Sequence, residues 1–255
     1  MKVLITGSNG QLGKSLIALK DKRIKLLIPN RLEFDLQDHK SMIDYIELHK
    51  PNWTINCAAY TSVDEAEDNS DLAKSINLIG VETLAKVIKL YGGRFLQLST
   101  DFIFDGKKNK PYKPLDKGNP KCIYGMTKYQ AEKEIIKIFS NTNKGIILRT
   151  SWLISPYGKN FLLTILGLLK KQETISVVND QIGSLTSSNS LADTCWKIIS
   201  IYSKNNNYIY ALPNILHWTD EGIISWFQIA CEINTFSAKI GLIEKEKEII
   251  PISSK

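Results

Sequence analysis

Tyr124 and Lys128 are four residues apart in a stretch, residues 124–139, whose apolar spacing predicts a helix. On a helix the two side chains stand one turn apart on the same face. That pair suits the reduction of a ketone. As hydride arrives at carbon, the developing alkoxide needs a proton, and a phenol with an ordinary pKa of about 10 is a slow donor without a nearby cation. A lysine one turn away supplies the cation and can also grip a nicotinamide ribose. The Y-x-x-x-K spacing alone arises by chance in many helices, so its meaning depends on the company it keeps. Thr100 is the third candidate. It follows the strand predicted at residues 95–98, and ligands of open α/β sheets collect at the carboxyl ends of strands. Its hydroxyl can orient a substrate oxygen, or with Ser99 it can simply cap the turn that follows.

The element that gives the pair its context lies some 110 residues upstream. Residues 6–13 place Gly7, Gly10 and Gly13 at G-x-x-G-x-x-G spacing, directly after a short apolar run at residues 3–5 and ahead of Leu12, Leu16 and Leu19 at helical spacing. The first glycine permits a tight turn off the strand, the second lets backbone approach a pyrophosphate, and the third lets helix and sheet pack closely. Free N–H groups and the helix dipole then favour an anion. Gly7, Asn9, Gly10, Gln11, Leu12 and Gly13 are therefore assigned to a dinucleotide cofactor. The end of the second strand carries Asn30 and Arg31 where an acidic residue would select NAD, with Glu33 and Asp35 slightly later. Arg31 fits the 2′-phosphate of NADP, since a guanidinium fork matches phosphate oxygens, and it fits equally the role of a solvated loop cation. NADPH is the expected cofactor, with NADH as the alternative. Asp35 and Leu36 are placed to border the adenine.

Around these residues the chain alternates strand and helix. Strands are predicted at residues 3–5, 24–28, 53–56, 95–98 and 145–148, with helices at 39–49, 71–91 and 124–139. That order predicts an α/β fold, a Rossmann-type doubly wound parallel sheet with helices on both faces, over residues 1–150. Residues 151–255 are read as mainly a smaller α/β substrate-binding part, interleaved with the first. It contains helices at 161–170, 190–202 and 222–233 and strands at 175–178 and 208–211. The 255 residues are 43% hydrophobic, enough for a sizeable core, and disorder is not expected. A formal charge of +7 comes from scattered lysines, which argues against a nucleic-acid partner. Cys57, Cys122, Cys195 and Cys231 lack ligand spacing and read as reduced thiols, so no metal is expected. With no signal peptide and no membrane-length apolar run, the expected setting is the cytoplasm.

Taken together these motifs resemble the extended short-chain dehydrogenase/reductase family, and finer matches are similar to its dTDP-4-dehydrorhamnose reductase branch. Asn56-Cys57-Ala58-Ala59-Tyr60-Thr61-Ser62-Val63-Asp64 resembles N-A-A-A-x-T-x-V-D, and Glu67 follows it. Ser99-Thr100-Asp101-Phe102-Ile103-Phe104-Asp105-Gly106 resembles S-T-D-Y-V-F-x-G. Arg149-Thr150-Ser151-Trp152 and residues 178–183 resemble R-T-S-W and N-D-Q-x-G. The resemblance implies that Thr100, Tyr124 and Lys128 form the catalytic set, with Asp101 beside them. It places Ala58, Ala59 and Tyr60 against the cofactor, with Lys128 on its ribose. Thr61, Val63, Thr100 and Trp152 would line the sugar or its nucleotide. Trp152 suits a half-exposed pocket wall and suits a core position too.

The implied reaction is NAD(P)H-dependent reduction of the 4-keto group of a nucleotide-activated deoxy-sugar, foremost dTDP-4-dehydro-L-rhamnose to dTDP-L-rhamnose. A homodimer is one option for its assembly. The sequence departs from the branch at Phe102 for tyrosine, Tyr60 for histidine and Leu185 for proline. It also ends where the family continues for several tens of residues, an expected loss to the substrate part. Two rival readings remain: a reductase for another nucleotide-linked keto-sugar, and a non-catalytic NADP-binding subunit, since the branch also contains a regulatory subunit of methionine adenosyltransferase.

Overall fold

The computed structural model describes residues 1–140, 142–204 and 213–254. The first strand, β1 (Lys2–Thr6), is followed by helix α1 (Gln11–Ala18), β2 (Lys25–Leu27), α2 (His39–His49) and β3 (Trp53–Asn56). Next come α3 (Val63–Asp68), α4 (Ser70–Lys74), a π-helical segment (Ser75–Gly80) and α5 (Val81–Leu90), which leads to β4 (Arg94–Thr100) and a 3₁₀ turn (Asp101–Ile103). Then follow α6 (Ile123–Ile138), β5 (Gly145–Thr150), β6 (Leu153–Ile154), α7 (Phe161–Leu169), β7 (Thr174–Val178), β8 (Ile182–Gly183) and β9 (Thr186–Ser187). The chain closes with α8 (Ser188–Lys204), β10 (Ile215–His217), β11 (Ile224–Ser225), α9 (Trp226–Lys239) and β12 (Glu248–Ile252).

Six strands form one sheet in the order β10-β5-β4-β3-β1-β2, and every pairing in it is parallel. Parallel strands need crossover helices, and these cover both faces. On one face Met42, Ile46, Leu84, Ile88 and Ile135 from α2, α5 and α6 pack against Leu4, Phe95 and Ile147. On the other, Leu12 and Leu16 of α1 and Leu191, Cys195 and Ile199 of α8 pack against Val3, Ile5, Ile55 and Leu148. The expected doubly wound α/β fold is the one observed. β10 and α8, both late in the chain, complete the sheet and one of its covering layers. A third core joins Ile165 and Leu169 of α7, Ala230 of α9, and Ile175 and Val177 of β7.

Several boundaries differ from expectation for local reasons. The helix expected at 71–91 is interrupted by the π-helical segment at 75–80. The helix expected at 222–233 begins at Trp226 and runs to Lys239. Gly222 has a φ of +114°, outside helix geometry, and Ser225 forms a capping box with Gln228. That S-x-x-Q signature marks the true start. The strand expected at 208–211 lies outside the described residues. Among the described residues no helix is long and apolar enough to cross a membrane.

The turn between β1 and α1 explains its glycines. Gly7 has a φ of +63°, and a Cβ there would lie 2.8 Å from the backbone nitrogen of Ala58. A Cβ on Gly13 would lie 2.5 Å from the Gly7 carbonyl and 2.6 Å from the Ser8 Cα. Gly13→Ala is expected to lower unfolding stability by about 1–3 kcal/mol through overpacking, read as a shifted denaturant midpoint. An unchanged midpoint would mean that the turn has slack at this position.

Candidate active site

A cleft of about 750 Å³ opens at the carboxyl ends of β1, β3 and β4. One end is built by Gly7, Asn9, Gly10, Gln11, Leu12 and Gly13, the whole glycine turn. The Gly10 N–H donates to the Gly7 carbonyl at 3.0 Å, and α1 begins without a side-chain cap or an acidic residue in its first turn. Its first N–H groups are thus left for an anion. The backbone of this end fits a pyrophosphate.

The wall beside it carries Arg31, Asp35 and Leu36 together with Pro29, Asn30 and Phe34. Arg31 is an exposed cation already engaged: its Nε donates to Asp35 at 2.9 Å and its terminal nitrogen to Gln37 at 3.2 Å. Asp35 is held below its ordinary pKa, its burial outweighed by hydrogen bonds from the Gln37 backbone and Arg31. A 2′-phosphate would therefore compete with a carboxylate for this guanidinium.

Along the floor, Ala58, Ala59 and Thr61 line the cleft with Cys57. The loop is pinned by Asn77, which comes from the π-helical segment. Its side-chain oxygen accepts from the Tyr60 N–H at 2.8 Å, and its amide donates to the Tyr60 carbonyl at 3.0 Å and to the Thr127 hydroxyl at 3.3 Å. One buried amide thus ties the cleft floor to α6. π-Helical turns of this kind recur at functional sites.

At the far end Thr100, Tyr124 and Lys128 meet on the cleft wall. Lys128 is buried, and its Nζ donates to the Leu98 carbonyl at 2.7 Å. Burial lowers its pKa to about 8, against the opposing pull of Glu132 and Cys57. Burial pushes the Tyr124 phenol up to about 12, with the neighbouring Thr100 hydroxyl acting to lower it. Asp101 is pushed up to about 6 by burial, while the Thr100 hydroxyl and backbone N–H groups pull it down.

One turn beyond Lys128, Glu132 supports the set from below. It accepts from the Ser99 hydroxyl at 2.5 Å and from Arg149 through two nitrogens at 2.7–3.2 Å. Both charged side chains are at most 5% exposed. Arg149 also donates to the Pro114 carbonyl at 3.0 Å and lies 3.1 Å from His217. The sequence held no pattern that singled out Glu132 or Asn77, although Glu132 continues the four-residue spacing of Tyr124 and Lys128.

Four expected site residues do not line this cleft. Asp101 opens the 3₁₀ turn and accepts from the Thr100 hydroxyl at 3.2 Å. Tyr60 directs its phenol to Glu65 at 3.3 Å, and Val63 begins α3. Trp152 stacks on Trp226 with ring centroids 3.7 Å apart and has a φ of +45°. Its neighbour Leu153 lines the cleft instead, with Gly158 and Leu191. The late part of the chain reaches the glycine turn through Asn160, which donates to Gln11 at 3.1 Å, and through Ser188, bonded to Ser15 at 2.8 Å.

A family model described as the RmlD substrate binding domain matches residues 1–255. Among relatives, a dTDP-4-dehydrorhamnose reductase of Aggregatibacter actinomycetemcomitans is 38% identical over 91% of this chain and 78% of its own length. The spore coat polysaccharide biosynthesis protein SpsK of Bacillus subtilis is 35% identical over the same shares, 91% and 78%. Among solved structures, a dTDP-4-dehydrorhamnose reductase of Clostridium acetobutylicum superposes with a TM-score of 0.88 at 34% identity, covering 100% of this chain and 84% of that one. The Bacillus anthracis dTDP-4-dehydrorhamnose reductase, solved in complex with NADP, gives 0.89 at 33% identity over 99% and 85%.

Removing the Asn77 amide leaves the Tyr60 N–H and carbonyl without their partner. Asn77→Ala is expected to destabilise the fold by about 1–3 kcal/mol, the usual cost of an unsatisfied buried group. Chemical denaturation checks it. A loss well below 1 kcal/mol would show that the floor loop holds its place without Asn77.

Proposed function

The chain belongs to the family of the RmlD substrate binding domain, and from that premise we propose that it is an NADPH-dependent reductase of the 4-keto group of a nucleotide-activated deoxy-sugar, foremost dTDP-4-dehydro-L-rhamnose. The observation that carries this reading is the meeting of Thr100, Tyr124 and Lys128 on the wall of the same cleft that begins at the glycine turn. The Aggregatibacter actinomycetemcomitans relative carries the same activity in its name, and a neighbour at 33% identity holds NADP.

The residues fit the cofactor. Gly7, Gly10, Gln11 and Leu12 would hold the pyrophosphate, Arg31 the 2′-phosphate once released from Asp35, and Ala58 and Ala59 the face of the dinucleotide along the floor. When bound there, NADPH supplies hydride to the carbonyl carbon. The chain's own residues do the rest. Thr100 orients the carbonyl oxygen, and Tyr124, neutral below its raised pKa, delivers the proton to that oxygen as the alcohol forms. Lys128 places a positive charge beside the ribose and the reacting oxygen. Gly158 and Leu153, from the late part of the chain, border the same cleft and would help exclude water from it. Cofactor and sugar must be held in near contact for such a transfer, which rigid strand ends and α6 are suited to provide. Residues 1–150 thus serve mainly the dinucleotide and residues 151–255 mainly the sugar.

The test is direct. Purified protein given dTDP-4-dehydro-L-rhamnose and NADPH is expected to lose nicotinamide absorbance, and a panel of UDP- and GDP-linked keto-sugars ranks the substrates. No loss with any of them would remove the reading. Tyr124→Phe is expected to cut turnover by at least 10²-fold, the lower end of general-acid contributions, with NADPH affinity nearly unchanged. Because the Lys128 ammonium is present below its pKa and lost above it, turnover should fall as pH rises through about 8. Lys128→Met should lose that fall and most of the rate.

A further inference from the structure

The His217 ring sits between two partners that leave it one tautomer. On one side Arg149 Nη1 lies 3.1 Å from Nε2. A guanidinium has only donors and keeps its charge, so Nε2 must be the bare nitrogen that accepts. On the other side the Tyr112 carbonyl lies 3.1 Å from Nδ1. A carbonyl can only accept, so Nδ1 must carry the proton and donate it. The two constraints agree on the neutral ring with its proton on Nδ1.

Each partner leads to a different part of the site. Arg149 stands opposite His217 in the parallel register of β5 and β10, and its other nitrogens grip Glu132 of α6. Tyr112 belongs to the loop of residues 104–122, which runs from the 3₁₀ turn to α6 and Tyr124. This loop is tied within itself. Asp105 accepts from the Tyr112 phenol at 2.8 Å and from Asn119 at 3.0 Å, and Asp116 accepts from the Lys113 N–H at 2.7 Å and pairs with Lys108. The Phe104 ring stacks on Tyr112 at 4.1 Å and meets His217 edge-on at 5.9 Å. The Pro114 carbonyl accepts from Arg149 Nη1 at 3.0 Å. His217 and Arg149 thus hold the loop by two of its carbonyls and are bonded to each other. At the ends of the loop, the Phe102 ring meets Tyr124 at 5.8 Å, and the Phe102 carbonyl leaves no room for a Cβ on Gly125.

We propose that His217 is a positioning residue, a clasp between the sheet and the 104–122 loop that stays closed only while its ring is neutral. A proton on Nε2 sets N–H against N–H and cation against cation at Arg149. That bond is then lost, and the loop leading to Tyr124 loses its hold on the sheet at this point. The consequence for rate rests on the reading of the site as a ketone reductase; the clasp does not.

The charges facing the ring come from β5, α6 and the loop. Burial is the largest influence and lowers the His217 pKa from its ordinary 6.5, and Arg149 adds to it. The Tyr112 carbonyl, Glu132 and Asp116 work the other way; of these, Glu132 is committed to Arg149 and Asp116 to Lys108. The ring is half-buried, so a proton can reach it. The clasp is closed at neutral pH and opens in acid.

The experiment reads the ring and the loop separately. Protein labelled with ¹⁵N-histidine, its His217 signals assigned by His217→Gln, is followed by NMR from pH 8 to 4.5 without substrate. The expected spectrum at pH 8 shows Nδ1 protonated and Nε2 bare, with a titration step below pH 6.5. Hydrogen exchange of the amides of residues 105–121 is compared with that of His217→Gln at each pH. The glutamine oxygen can accept from Arg149 and does not titrate. Loop protection in the unmodified protein, relative to the variant, is therefore expected to fall roughly ten-fold through the step, about the worth of one hydrogen bond to a charged group. His217→Asn, which also does not titrate, replaces the first variant should that one not fold. The opposite tautomer, no His217 step in this range, or loop protection that stays parallel in the two proteins overturns the proposal. With substrate, turnover of the unmodified protein should fall roughly ten-fold through the same step and that of the variant should not. A loop that loosens with no such difference in turnover overturns the positioning role. Failure of every keto-sugar to react counts against the reductase reading alone, since ring and loop are measured without substrate.

Discussion

The buried ion pair between Glu132 and Arg149 sets the position of the Tyr124–Lys128 end of the candidate site. It joins α6 to β5, and through the Ser99 hydroxyl it also joins α6 to β4. Glu132, Lys128 and Tyr124 sit at four-residue intervals on one face of α6, and the first two bond the sheet: Glu132 at Ser99 and Lys128 at the Leu98 carbonyl. A helix held by two polar contacts one turn apart cannot slide or rotate on its strand without breaking them. Burying two charges is costly, and a well-packed apolar pair would often be as stable. What the ion pair adds here is register, because bidentate geometry accepts only one placement of the helix.

The same pair influences Lys128 electrostatically. Desolvation works against the buried ammonium, while Glu132 one turn away favours it. The balance leaves the lysine able to change charge in the ordinary pH range rather than far above it. At the opposite end of the cleft the arrangement is different in kind. No charged side chain caps α1, and the anion site is made of backbone alone, with Gly7 and Gly13 supplying the room. Gln11 and Ser15 then tie that turn to Asn160 and Ser188 from the late part of the chain. A shift of the glycine turn would therefore be felt on the substrate side.

Much of this was legible in the sequence because it rests on local pattern. The glycine spacing, the alternation of strand and helix and the Tyr124–Lys128 interval are all short-range signals, and they fix the fold class and the two ends of the cleft. The partners that hold those residues in place are long-range and left no local trace. Glu132 meets Arg149 seventeen residues on and Ser99 thirty-three back; Asn77 reaches Tyr60 and Thr127 only because a π-helical turn aims it there. Trp152 was open between pocket and core, and its stack on Trp226 depends on a contact 74 residues distant that no periodicity encodes. The start of α9 is a different matter, since the S-x-x-Q cap of Ser225 and Gln228 is itself a local pattern in the sequence.

The central claim is that the Glu132–Arg149 pair locks α6 against the sheet. Native-state hydrogen exchange on Glu132→Gln tests it most directly, since the substitution keeps the shape and leaves Arg149 buried without its counter-charge. The account predicts that amides of α6 around residues 124–135 lose protection equivalent to about 3–5 kcal/mol, the cost of breaking a buried pair, while the α1 amides lose less. Protection of α6 equal to that of the unsubstituted protein would contradict it.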